Sequence, residues 1–240
     1  MIGRSRSPGW RTAALAALLV VLLGLVADVT LASPRTITRS QATAVATAIS
    51  LRHSDLPGLK QEANPITAQQ QRLTAQATAC AGGVPASEAF ANTQSPAFVS
   101  SGQSVTVVSG TEILPSAALV AKDFAAVTRP HALTCLLSEL TSSLHASLPK
   151  GDKVTSATAA RIPSVVSGIA DTFAIRITFA VTVREATTTV SVPLYADQIG
   201  FTDGQAEVDL EVQTTVIKPS ASLERQLAGL LVARARSAIG

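Results

Sequence analysis

This chain of 240 residues is poor in the residue types that most often betray a function. Aromatic residues make up 3% of it, with one tryptophan, Trp10, and one tyrosine, Tyr195. Such scarcity disfavours the stacked-ring platforms that hold sugars and unpaired bases. Histidine occurs three times, at His53, His131 and His145, and cysteine twice, at Cys80 and Cys135. A metal centre needs several such ligands to converge. His131 and His145 fall in one expected helix, where 14 residues span about 21 Å, too far to share an ion. No motif ties a histidine to either cysteine. The phosphate-binding G-x-x-x-x-G-K-[ST] and the G-x-S-x-G elbow are both missing. "SLPK", Ser147 to Lys150, matches S-x-x-K, but it closes a helix instead of opening one and has neither S-D-N nor K-T-G as a partner. No catalytic, cofactor-binding or metal residue is therefore assigned, and no cofactor is expected.

A basic run is also lacking. The formal charge of +3 and pI near 9.2 come from the N-terminus, where residues 1–39 hold five arginines and one acid, Asp28. Residues 40–240 hold 14 basic and 15 acidic groups. That balance offers no electrostatic footprint for nucleic acid.

What the chain does have is an apolar leader. Arg4, Arg6 and Arg11 precede an uncharged run from Thr12 to Ala27, and weakly polar residues continue past Asp28. A helix over 12–32 would span about 30 Å, the thickness of a bilayer core. The expected organisation is a cytoplasmic leader at 1–11, a transmembrane anchor or signal peptide at 12–32, and an exported domain at 33–240 with its core at about 40–240. The anchored form is a single-pass membrane protein with its C-terminal domain outside, and the cleaved form is secreted. No cysteine follows the apolar run to carry a lipid. Outside the cytoplasm an even cysteine count reads as a disulfide, here Cys80–Cys135. The loop of 55 residues gives about 4 kcal/mol by the chain-entropy relation. Two free, buried and inert cysteines are the alternative.

Along the exported part, alanine-rich "SQATAVATAISLRH" predicts a helix with Val45, Ile49 and Leu51 or Arg52 on one side, stopped by "SDLPG". A second helix starts at a Thr67 cap and ends at "AGGVP", leaving Cys80 at its C-terminus and residues 81–96 as loop. One strand is expected around Val105 to Ile113. "PSAALVAKDFAAVT" then predicts a helix with Pro115 in its first turn. In the next helix Leu133, Leu136, Leu137, Leu140, Leu144 and Leu148 form an apolar stripe with Cys135 beside it. Beyond "LPKGD" the period becomes two, after a further strand within 152–163. Phe173, Ile175, Ile177, Phe179, Val181 and Val183 share one face, as do Val190, Val192 and Leu194. Val208, Leu210 and Val212 face in, and Glu207, Asp209, Glu211 and Gln213 face a solvated or lightly covered side. Asp203-Gly204 marks a hairpin. "SLERQLAGLLVARARSAI" closes the chain as a helix with Leu223, Leu227, Leu230 and Leu231 buried. Segregated helices and strands predict an α+β fold, an antiparallel sheet of about five strands covered by helices. The acidic row on Glu207–Glu211 is what alternation alone would produce, and paired carboxylates acquire acid–base roles only in a cleft that separates their pKa values.

The order of "DLPG", "PSAALVAKDFAAV", "TCLLSELTSSL", "DTFAIRITFAV" and "DQIGFTDGQAEVDLEV", with arginines in the last helix, resembles a group of actinobacterial cell-envelope proteins. The group includes lipoproteins and the extracellular sensor domains of mycobacterial-type serine/threonine kinases. The resemblance covers residues 40–240 and implies a PsbP-like α/β/α sandwich, with no catalytic residues to carry over. This chain has no kinase domain and no lipid-modified cysteine. The expected function is a membrane-tethered, non-catalytic module of the envelope that binds an unknown envelope protein or small molecule. The alternatives are a carrier or sensor of apolar envelope molecules and a cryptic serine hydrolase using one of the three histidines.

Overall fold

The computed structural model describes residues 36–240, except 186 and 187. The leader and apolar segment at 1–32 lie outside the described residues. Among the described residues no helix is long and apolar enough to cross a membrane. They belong to one unit, Pro34–Gly240.

Among the described residues, five α-helices and eight strands build three layers. The helices are α1 (Arg39–Ile49), α2 (Ala68–Ala81), α3 (Ala117–Val127), α4 (Pro130–Ser147) and α5 (Ala221–Ile239). The strands are β1 (Lys60–Glu62), β2 (Ala91–Gln94), β3 (Ala97–Val99), β4 (Val105–Ile113), β5 (Lys153–Arg161), β6 (Thr172–Glu185), β7 (Thr188–Asp203) and β8 (Ala206–Thr215). All pairings between strands are antiparallel, in the order β1-β3-β4-β8-β7-β6-β5, with β2 also paired to β4.

The sheet therefore has eight strands where about five are expected from the pattern. The additions are β1, β2 and β3, of three or four residues each, too short for alternation to declare itself. β2 corrects the reading of 81–96 as loop. β2 and β3 act as one broken edge partner of β4, interrupted at Ser95-Pro96. There the Ser95 hydroxyl accepts from Ser109 N at 2.9 Å, and Ser95 N donates to Ser109 O at 2.8 Å. A proline lacks the ladder donor, and a side chain has taken over its neighbour's share of the pairing.

α1 and α5 pack on one face of the sheet. Their contact is made by small residues, Ala42 and Ala46 on α1 with Ala228 and Ala235 on α5, together with Ile49, Leu227 and Leu231, all nearly inaccessible. Alanine lets the two helices and the sheet approach closely, which is why Val45 sits at the margin and not in the expected stripe. On α5, Leu223 and Leu230 are likewise marginal, and the buried row is Glu224, Leu227, Leu231 and Ala235. Under α5 a charged set is sealed in. Arg176 on β6 grips Asp197 on β7 through two hydrogen bonds, Nε to Oδ1 at 2.7 Å and Nη2 to Oδ2. Asp197 is 0% exposed. Burial, then a shared hydrogen bond and the charge of Asp197, push Glu224 up to about 7 against the pull of Arg176. Arg234 of α5 also pairs with Asp55 at 2.8 Å. Burial alone would raise Asp55, but Arg234 and Arg52 outweigh it and hold the carboxyl below its usual range.

The other face carries α2, α3 and α4. The leucines expected on α4 do lie against the sheet, over Ile175, Ile177, Phe179 and Val181. Each such side chain, when fully buried, is worth about 1.5–3 kcal/mol. Pro130 occupies the first turn of α4. In α3 the cap is Ser116, whose hydroxyl accepts from Leu119 N at 3.3 Å. Pro115 therefore precedes the helix instead of opening it, since a side-chain acceptor at the cap satisfies a donor that proline cannot. Thr67 caps α2 as expected, accepting from Gln70 N at 3.2 Å, and Gly82 ends that helix with a φ of 77°. The turn from β7 to β8 centres on Gly204, φ 56°. The buried Gln205 beside it binds Ile37 N and O, Leu114 O and Pro115 O.

Candidate functional site

The register decides which side chains meet under α2, α3 and α4. Glu112 of β4 lies opposite Glu207 of β8. One step along, Asp209 is flanked by Gly110 on β4 and Gly200 on β7. One step further, Glu211 lies between Val108 and Gln198. The face expected to be solvated or lightly covered lies under three helices as a partly open floor: Asp209 and Gln213 are exposed, and Glu207 and Glu211 are half-buried.

The two glycines make the floor possible. A Cβ on Gly110 would overlap the Asp209 carboxylate, and one on Gly200 would overlap the ring of Phe173. Phe173 is thus laid flat over a strand that has no side chain at that point. Its ring meets Phe124 of α3 with centroids 6.2 Å apart and planes tilted by 46°. Asp123 of α3 accepts from Val84 N just beyond α2, and a Cβ on Gly83 would come within 2.6 Å of its Oδ1. Glu139 of α4 accepts from the Thr74 hydroxyl of α2 at 3.1 Å.

These groups enclose a cavity of about 290 Å³. Phe124, Phe173, Ile175 and Leu136 form apolar walls, and Glu112, Glu207, Asp209 and Glu139 supply carboxylates. A second cavity of about 240 Å³ continues the pattern, with Leu140, Leu144, Phe179 and Ala196 opposite Glu211 and Gln213.

Among the described residues no lysine or arginine pairs with Glu112, Asp123, Glu139, Glu207, Asp209 or Glu211. Desolvation without a counter-charge favours the neutral acid. Burial, then the charge of Asp123 and a hydrogen bond shared with it, push Glu207 up to about 9, helped by Glu112 and Asp209. Burial and the charges of Asp123 and Asp209 push Glu112 up to about 7. Asp209 is the exposed member of the row, yet crowding by the surrounding protein and then Glu211 raise it to about 6, with backbone N–H groups opposing. Burial raises Glu211, opposed by the Gln213 amide, and raises Glu139, opposed by the Thr74 hydroxyl and aided by Glu211. Glu112 Oε1 and Glu207 Oε1 are buried without a hydrogen-bond partner. The site can hold protons at neutral pH and can accept hydrogen bonds or positive charge from a ligand.

Cys80 and Cys135 are joined, with Cα atoms 5.9 Å apart, and the bridge ties α2 to α4 beside this cavity. α2 buries none of its own side chains, so the bridge and the Thr74–Glu139 contact are specific ties holding that wall. His131 stands next to the bridge, Nε2 being 3.6 Å from Cys80 Sγ. Sequence reading missed this pair, although His131 precedes Cys135 by four residues on one helix and such residues share a face. His53 and His145 lie elsewhere on the surface. Among the described residues no histidine joins a serine and a carboxylate in a hydrogen-bonded set. α4 ends at Ser147, and Lys150 is exposed beyond it.

No protein-family model matches the chain, and no curated protein matches it in sequence. Among solved structures it is similar to the extracellular domain of PknH from Mycobacterium tuberculosis, at 10% identity and a TM-score of 0.43, over 85% of this chain and 100% of that one. At that distance nothing is carried from that protein to this one.

Proposed function

We propose that this protein is a non-catalytic binding module, tethered to the membrane by its N-terminal segment and working outside the cytoplasm, that takes a small amphipathic ligand with a cationic or hydrogen-donating end. The observation that carries this reading is the cavity under α2, α3 and α4. Its apolar walls face a floor of carboxylates with no basic partner among the described residues. A ligand ammonium would supply the missing charge, and its chain would lie against Phe173, Ile175 and Leu136. Binding would release the protons held by Glu207 and Glu112, because a nearby cation lowers a carboxyl pKa. The Cys80–Cys135 bridge and the arginine-flanked apolar leader support the exported location.

A purely apolar cargo fits less well, since it would displace water and leave Glu112 Oε1 and Glu207 Oε1 unpaired. A serine hydrolase would require a histidine that none of His53, His131 and His145 brings to the cavity.

The test uses n-octylammonium and n-octanoate as probes, followed by NMR on the methyl groups of Ile175 and Leu136. The ammonium should shift those signals and raise the melting temperature, more strongly at pH 8 than at pH 5. Equal responses to both probes, or none at the cavity, would refute the assignment.

A further inference from the structure

The bridge between α2 and α4 has three potential ligand atoms where a structural disulfide needs two. Cys80 Sγ, Cys135 Sγ and His131 Nε2 all lie within 4.8 Å of one another. Cys80 lies in the last turn of α2, while His131 and Cys135 are spaced i, i+4 on the first two turns of α4. Cys135 is buried, and Cys80 and His131 are open to solvent. Among the described residues the His131 ring has no hydrogen-bond partner besides the Cys80 sulfur.

We propose that, once the disulfide is reduced, these three side chains bind one zinc-class divalent ion, with the fourth position open to water. Tetrahedral zinc with Zn–S of about 2.3 Å and Zn–N of about 2.0–2.1 Å has an N···S edge of about 3.6 Å and an S···S edge of about 3.8 Å. The His131–Cys80 separation is already 3.6 Å. The sulfur–sulfur edge has to open, which breaking the bond permits, and the His131–Cys135 edge, within 4.8 Å, has to settle near the same value. The donor set of two thiolates and an imidazole selects zinc over magnesium or calcium, which prefer oxygen.

The chemistry balances as follows. A dithiol or phosphine reductant delivers two electrons, the S–S bond breaks, and two protons from water or the reductant complete the two thiols. The reductant leaves as its cyclic disulfide or phosphine oxide. The ion then displaces both thiol protons to solvent and takes the lone pair of neutral Nε2. The consequence is mechanical. α2 buries no side chain of its own, so an ion at this point would replace the covalent tie and keep the helix over the cavity in the reduced protein.

The experiment uses the full chain reduced with a phosphine that is then removed, with Co2+ as spectroscopic probe and Zn2+ as competitor. One Co2+ per chain should bind with a thiolate-to-metal charge-transfer band and tetrahedral d–d absorption, both bleached by Zn2+. The oxidised protein should show neither band, and Zn2+ should restore most of the melting temperature lost on reduction. His131→Ala keeps the disulfide and an exposed site, so its oxidised form should match the parent by circular dichroism. Because loss of an outer-shell partner alone costs about 10- to 100-fold, loss of this ligand should weaken Zn2+ binding about 100-fold or more. The proposal is overturned by unchanged affinity in His131→Ala, by equal binding to the oxidised chain, or by a reduced chain that unfolds and does not recover with Zn2+.

Discussion

Replacing Glu207 by glutamine tests whether the acidic floor is held neutral by its surroundings. In the folded protein Glu207 is raised from an ordinary 4.5 to about 9, by burial first and by Asp123 next. A group with a raised folded pKa contributes its full stability below the unfolded value and loses it as pH rises through the folded one. The window for Glu207 is therefore pH 4.5 to about 9. A shift transmitted in full would remove about 1.4 kcal/mol per pH unit. Water in the cavity raises the effective dielectric, and about half of that is the reasonable expectation, or about 2 kcal/mol between pH 5 and pH 8. Glutamine cannot ionise, and its amide N–H can replace the carboxyl proton as donor to Asp123. Urea unfolding of parent and Glu207→Gln should give equal stability at pH 5. At pH 8 the variant should be more stable by about 2 kcal/mol. Glu112 and Asp209 titrate in both proteins, so the difference reports Glu207 together with its coupling to those two groups. A gap that does not widen from pH 5 to pH 9 would show that Glu207 is solvated and that the floor is an ordinary wet surface.

Three further outcomes follow from other contacts. The double variant Cys80→Ser, Cys135→Ser frees a loop of 55 residues and should cost about 4 kcal/mol by chain entropy; an unchanged denaturation midpoint would mean that the bridge constrains nothing. Gly200→Ala places a methyl group inside the Phe173 ring, so the ring must leave the cavity wall; a loss of about 1–3 kcal/mol should accompany weaker octylammonium binding, and parent-like binding would contradict the described floor. Asp197→Ala leaves Arg176 without its bidentate partner beneath α5 and should cost about 3–5 kcal/mol, read from the thermal unfolding midpoint.

Most of the architecture was legible because period and caps were clean. β6, β7 and β8 alternate over ten residues or more, and α4 carries its leucines at helical steps. β1, β2 and β3 escaped notice because three or four residues cannot display a period, and β1 finds its partner β3 only much later in the chain. The stripes of α1 and α5 shifted because alanine counts as weakly apolar in a pattern yet is what allows close helix contact. His131 escaped because nothing in its own segment marks it; Cys80, 51 positions earlier, supplies the meaning.

The acidic floor was visible as an alternation, and its burial follows that alternation, with Asp209 and Gln213 exposed. A polar row on a strand indicates only that the row does not face the first hydrophobic layer; it says nothing about a second layer of helices. Under α2, α3 and α4 the half-buried Glu112 and Glu207 become a cost to folding, while Asp209 keeps contact with solvent. The fold had another solution at hand, for β6 presents Phe173, Ile175, Ile177 and Phe179 to the same layer. Threonine or valine at 112, 207 and 209 would have closed the layer without holding protons or leaving Glu112 and Glu207 oxygens unpaired. Gly110 and Gly200 add to the expense, since glycine weakens a strand interior, and both keep space open around Asp209 and Phe173. Packing alone therefore does not account for this group of residues, whereas a cavity that takes up a donor or a cation, as proposed above, would.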